Sequence, residues 1–181
     1  MDTDTADEGA GDRWPDPLWR LGYRLAHRCL LAWWRLRRPR AEGAGLAVWR
    51  EGRLLVVRNS YRGTLLDLPG GGVVAGKTPR AAAARELREE VGIEVAPATL
   101  REVGRLGFTF EHRLIEETVF ELRRPAAATR PRPDRREVVW AGWLSPAELG
   151  LLPTAPGLRG YLALVEAGRA VEGTPAPDTM A

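Results

Sequence analysis

Hydrophobic and polar positions change period several times along this chain, and each change marks an element. Between Asp16 and Leu36, the residues Leu18, Leu21, Leu25, Cys29, Ala32 and Leu36 recur at three- or four-residue spacing. That is the period of an amphipathic helix, with Asp16 as N-cap, Pro17 at the first helical position and Pro39 ending it. On a helical wheel Arg20, Arg24, His27, Arg28 and Arg35 share one stripe, while Trp19, Leu30, Trp33 and Trp34 widen the apolar side. From Gly45 the period becomes that of strands: GLAVW and RLLVV flank Arg50-Glu51-Gly52 as a hairpin, and LLDL at 65–68 is a further short strand. A second helix is predicted from Pro79 to Val91, capped by Thr78 and stopped by Gly92. Segments at 101–110, 115–122 and 138–144 supply three more strands, separated before the last by the arginine- and proline-rich surface loop RRPAAATRPRPDRR. Ser145-Pro146-Ala147-Glu148 is a capping box that opens a short helix. A last helix is expected near Gly157 to Ala167, with Leu158, Tyr161, Leu162 and Val165 on one face. Strands with helices on either side predict an α/β sandwich with a mixed sheet.

Composition alters this picture only locally. The 181 residues, 44% hydrophobic and 28% charged, suit one compact domain with appendages. No apolar run approaches the roughly 20 residues of a membrane span, and the acidic start is unlike a secretory signal, so a cytoplasmic location is expected. The single cysteine, Cys29, excludes an internal disulfide and is expected in the core or an interface. The net charge of +3 hides an asymmetry: residues 1–16 carry six acids and one arginine, whereas 17–40 carry seven arginines and no acid. The rest is near neutral, which argues against duplex nucleic acid as a partner. The expected organisation is a disordered acidic arm at 1–15, a basic amphipathic helix at 16–40, a folded domain at 41–168 and a disordered tail at 169–181. The tryptophans and arginines of the first helix fit either a peripheral membrane contact at an anionic surface or packing against protein, in its own chain or across a homodimer.

The chemistry lies in the helix from Pro79. With Glu86 at zero on the wheel, Glu89 falls at about −60° and Glu90 at about +40°, opposite the apolar Ala84, Leu87 and Val91. Three like charges in so short a span repel, and Arg85 alone cannot neutralise them. A solvated helix face would explain such a pattern. So would a site for Mg²⁺ or Mn²⁺, hard cations that take oxygen ligands. Gly70, Gly71 and Gly72, just after a strand, favour the second reading because glycine lets the backbone approach a phosphate or a metal closely.

Taken together, Gly71 to Ile93 (GGVVAGKTPRAAAARELREEVGI) resembles the Nudix box, with Arg85, Glu86, Leu87, Glu89, Glu90, Gly92 and Ile93 in register. Leu68-Pro69-Gly70-Gly71 and Trp143 to Leu149 are similar to landmarks of the same family, so the resemblance covers about Gly45 to Leu149 and leaves out the first helix. It implies a Nudix-like α/β/α sandwich and metal-dependent hydrolysis of a diphosphate bond in nucleoside diphosphate derivatives or related organic pyrophosphates. By position it makes Glu89 and Glu90 the principal metal ligands, Glu86 a further ligand, and the Gly70 carbonyl another. Arg85 orients the glutamates, Gly71 and Gly72 contact substrate, and Glu137, six residues before Trp143, is a base or ligand with Glu111, Glu116 and Glu117 as rivals. The cofactor implied is Mg²⁺ or Mn²⁺, and the partner a small nucleotide or pyrophosphate. One position departs: Lys77 stands where the box has its first glutamate, and its ammonium is a candidate phosphate contact. A relative weakened in catalysis, acting as a nucleotide-binding or regulatory module, is the alternative. Phe108-Thr109-Phe110 lacks the proline some ADP-ribose subfamilies carry there, and Phe110 is either a base-stacking or a core aromatic.

Overall fold

The computed structural model describes residues 16–123 and 130–172. Helix α1 covers Asp16–Arg37, followed by strands β1 (Arg40–Arg50), β2 (Arg53–Asn59), β3 (Leu66–Asp67) and β4 (Gly70–Gly72). Helix α2 (Pro79–Val91), strands β5 (Arg101–Phe110), β6 (Arg113–Arg123) and β7 (Val138–Leu144), and helices α3 (Pro146–Leu149) and α4 (Pro156–Glu172) complete it. The acidic arm at 1–15 and the loop centre at 124–129 lie outside the described residues. Of the tail, 169–172 continue α4 instead of being disordered, and the rest lies outside the described residues.

Strand β1 is the hinge of the sheet. It runs parallel to β6 from Arg40 to Trp49, and on its other edge it pairs antiparallel first with β4 and then, at Trp49 and Arg50, with β2. The path β3-β2-β1-β6-β5, with β7 on β2, makes the mixed sheet that the sequence pattern predicts. The β1–β2 hairpin turns through Glu51 and Gly52, both at positive φ (50° and 76°), the tight turn whose twist matches paired strands. Alternation along β1 and β2 divides the core in two. Leu46, Val48, Leu55 and Val57 face Ala83, Leu87 and Val91 of α2. Ala47, Trp49, Leu54 and Val56 face Leu149, Leu158 and Tyr161 of α3 and α4.

The glycine run forms a short strand, β4. Gly70, Gly71 and Gly72 lie opposite Gly45, Ala44 and Gly43, and a Cβ at Gly70 would overlap the Ala44 carbonyl. Only glycine allows the two strands this approach.

Helix α1 docks on its own domain, but not through the leucine stripe. Its apolar stripe, Leu18, Leu21, Leu25, Cys29 and Leu36, is exposed, Leu36 to 78%. Part of the polar stripe docks instead: Arg20 Nε donates to the Arg135 carbonyl (2.8 Å), Arg24 Nε to the Ser60 carbonyl (3.1 Å), and His27 Nε2 lies 3.2 Å from Glu111 Oε1, while Arg28 and Arg35 are exposed. The facing surface offers carbonyl and carboxylate acceptors to arginine and imidazole, and the Tyr61 ring to Tyr23 and His27.

Candidate active site

Thr78 accepts the Ala81 N–H through its hydroxyl, Pro79 follows, and Gly92 closes α2 in the left-handed region (φ 69°). These caps fix the phase in which the helix presents its charged residues beside β4. Arg85 then grips two of them: its guanidinium lies 2.6 Å from Glu86 Oε1 and 2.7 Å from Glu89 Oε2, with the Gly72 carbonyl at 3.4 Å. Glu86 rests against Gly71, where an added Cβ would stand 2.7 Å from its carboxylate carbon.

Glu90 is different. It is 6% exposed and accepts the Gly70 N–H at 3.0 Å. Burial pushes its carboxyl well above the usual range, and the charges of Glu86, Glu137 and Asp67 push it further, against the pull of that N–H. Glu86 is raised chiefly by burial too, with Arg85 opposing. The three glutamates therefore do not share one solvated face: Glu89 is exposed, Glu86 half-buried, and Glu90 tucked beneath β4.

Glu137 arrives on the segment that leads into β7. Asp134 accepts the N–H groups of Arg136, Glu137 and Val138, and the Asp134 and Arg132 N–H groups donate to the Glu90 and Val91 carbonyls of α2. Tyr61 Oη donates to Glu137 Oε1 (2.9 Å) and accepts from Asn59 Nδ2 (3.2 Å). Glu137 thus lines the same cavity, of about 580 Å³, as Gly70, Gly71, Gly72, Arg85, Glu86 and Glu89.

The rivals separate. Glu117 lines the cavity, and burial, with Asp67 adding to it, raises its carboxyl to about 7. Glu111, at φ 50° in the β5–β6 turn, is held among His27, Arg62 and Arg113, and Glu116 is exposed. Lys77 does not reach the site: it is exposed in the turn before α2 and is not among the residues lining the cavity. Phe110 lines the cavity under the Arg62 guanidinium, 5.2 Å from its ring centre. Sequence reasoning missed Asn59, Tyr61 and Asp67. Asp67 had a signal, a lone acid inside the apolar LLDL strand, and it carries an Arg62 partner at 3.3 Å.

The donors beside Gly70 are all oxygens, and Glu90 is a buried carboxylate with one N–H to offset its charge, so the set suits a hard divalent cation. Among the described residues no three His, Cys, Asp or Glu side chains converge at ligand spacing, because Arg85 holds Glu86 and Glu89.

The model of the NUDIX domain matches residues 39–165. The chain belongs to the Nudix family. A MutT-like protein of Streptomyces ambofaciens is 34% identical over 108 residues, 59% of this Nudix chain and 64% of that protein, so the chain spans less than two thirds of that relative's length. A MutT Nudix hydrolase structure from Burkholderia pseudomallei superposes with a TM-score of 0.61 at 23% identity, over 70% of this chain and 98% of that one. The MutT protein from Methanosarcina mazei Go1 gives 0.61 at 22%, over 76% and 98%. These structures share the Nudix fold. The matched segment begins after α1, so the wall that α1 adds to the cavity lies outside the family's domain.

Proposed function

We propose that the protein is a pyrophosphohydrolase that cleaves a diphosphate bond of a nucleoside diphosphate derivative or related organic pyrophosphate in the presence of Mg²⁺ or Mn²⁺. The observation that carries this is one cavity shared by Gly71, Arg85, Glu86, Glu89 and Glu137, with the buried Glu90 beside it. Glu86, Glu89, Glu90 and the Gly70 carbonyl would hold the cation, which supplies charge neutralisation and a more acidic bound water. Glu137, steadied by Tyr61, is the candidate to take the proton of the attacking water. Water adds to phosphorus, the bridging P–O bond breaks, and two phosphate-bearing products leave. The Gly71 and Gly72 backbone borders the phosphates, and Arg85 orients the glutamates.

The test is product release by purified protein with Mg²⁺ or Mn²⁺ from a panel of nucleotide sugars, dinucleoside polyphosphates, ADP-ribose and nucleoside triphosphates. Glu89→Gln abolishes it; full turnover in that variant sinks the assigned site. The second reading, a nucleotide-binding relative without turnover, is favoured by the Arg85 clamp on Glu86 and Glu89. Its signature is nucleotide affinity without hydrolysis across the whole panel.

For the exposed stripe of α1 the proposed occupant is an anionic membrane surface. Beyond the docked Arg20 and Arg24, the exposed Arg28, Arg35, Arg37, Arg38 and Arg40 complement lipid phosphates, and with no acid in residues 17–40 they repel a second copy of the helix. The intact chain is expected to co-sediment with vesicles containing anionic lipid and not with neutral ones. Equal binding to both, or a dimer in sedimentation that Leu25→Arg dissolves, overturns this.

A further inference from the structure

The cavity has two chemically distinct ends, and only one is used by diphosphate hydrolysis. The end at Gly71, Arg85, Glu86 and Glu89 suits phosphates once its carboxylates hold a divalent cation. The other end is aromatic: Tyr23, His27 and Trp34 of α1 face Tyr61, Phe108 and Phe110 of the domain. Tyr23 and Tyr61 lie nearly parallel with ring centres 6.4 Å apart, and His27 sits 4.7 Å from Tyr61. Arg113 lies flat against Trp34, its guanidinium carbon 3.7 Å from the ring centre.

Hydrogen-bonding capacity is left over at this end. Asn59 and Arg113 line the cavity, and Asn59 Oδ1 and Arg113 Nε are buried with no hydrogen-bond partner among the described residues. Unpaired buried polar atoms are costly, and a ligand that satisfies them recovers that cost. Helix α1 is also tied to the segments that hold Glu137. Arg24 bonds the Ser60 carbonyl, Ser60 N–H donates to the Glu137 carbonyl, and Arg20 bonds the Arg135 carbonyl two residues before Glu137. Phosphate chemistry at one end, with flat rings and unpaired donor and acceptor atoms at the other, is complementary to a nucleotide lying lengthwise.

We infer that α1 builds half of a nucleobase subsite, with Tyr23 as the specificity-determining residue that packs against the base while the phosphates reach Arg85 and Glu86. This deepens the proposed hydrolase reading by naming the substrate class as nucleotides over base-free pyrophosphates. A helix outside the family's domain would thereby set which substrates the site accepts. The basic residues on the docking stripe serve this role by holding the helix over the cavity, which leaves the apolar stripe facing out.

The experiment measures binding by the full chain, in calorimetry, of two non-hydrolysable probes: an adenosine or guanosine α,β-methylene diphosphate, and methylenediphosphonate, which has no base. Tyr23→Ala is expected to weaken the nucleotide probe about tenfold, the scale of one base-to-ring stacking contact, and to leave methylenediphosphonate unchanged. Tyr23→Phe keeps wild-type affinity for both, and so does Leu25→Ala on the outer stripe. Unchanged nucleotide affinity in Tyr23→Ala, an equal loss for both probes, or wild-type protein that prefers neither probe overturns the inference. Nucleotide affinity that depends on Tyr23 without any hydrolysis defeats the hydrolase reading alone. Hydrolysis of a pyrophosphate with no dependence on Tyr23 defeats the subsite alone.

Discussion

Glu117→Gln isolates one buried charge and should make the protein more stable. Glu117 lies on β6 between Gly43 of β1 and Leu106 of β5, and its carboxylate fills the space that a Cβ at Gly45 or Gly157 would take. Burial raises its carboxyl from 4.5 to about 7, the Asp67 charge adds, and Arg62 opposes. A shift of that size corresponds to about 3 kcal/mol at roughly 1.4 kcal/mol per unit, and water in the cavity screens part of it, so about 1–3 kcal/mol is expected. The sign follows from linkage. The folded protein holds the proton more tightly than the unfolded chain, so the favourable contribution is complete below about pH 4.5 and is lost as pH rises through about 7. The isosteric amide carries no charge and escapes this loss. Urea or thermal melts followed by circular dichroism, in chelator, should show equal stabilities for the two proteins near pH 4.5. Near pH 8 the variant should melt roughly 3–10 °C higher. A variant no more stable than wild type near pH 8, or a gap that is the same at both pH values, refutes the reasoning.

Three further outcomes follow from the same geometry. Gly71→Ala places a methyl against the Glu86 carboxylate, so hydrolysis should fall by about a hundredfold in steady-state assays with little change in melting temperature; intact turnover would mean that Glu86 need not stay where it is. Mg²⁺ or Mn²⁺ should raise the melting temperature more near pH 8 than near pH 5, because burial keeps protons on Glu86 and Glu90 at low pH and a cation must displace them. A cation effect independent of pH would place the metal elsewhere. Lys77→Glu should change kcat/KM by less than about threefold, since Lys77 is exposed in the turn and does not line the cavity. A larger gain would assign the lysine a role in suppressing turnover.

Much of this was written in local pattern. The period of α2, its Thr78 and Gly92 caps, the β1–β2 turn and the Ser145 capping box depend on neighbours within a few residues, so the sequence specifies them directly. The order of Arg85, Glu86, Glu89 and Glu90 along one helix is of the same kind, and so is the family that order identifies. What local pattern could not carry was depth. Three glutamates on one wheel look equivalent, yet Glu90 is buried under β4 and Glu89 is exposed, a difference set by where the glycine strand crosses the helix.

The chain alone therefore determined the elements, the carboxylate helix and the Nudix resemblance, because caps, periods and turns are short-range properties. Only the tertiary structure brought Glu137, 47 residues beyond Glu90, into one cavity with Glu86 and Glu89, left Lys77 off its lining, and added Asn59, Tyr61 and Asp67 to it. It also decided which face of α1 turns inward. A wheel favours burial of the leucines, but the surface that α1 meets combines carbonyl and carboxylate acceptors with the Tyr61 ring, all from distant segments, and it takes Arg20, Tyr23, Arg24 and His27 instead of the leucine stripe.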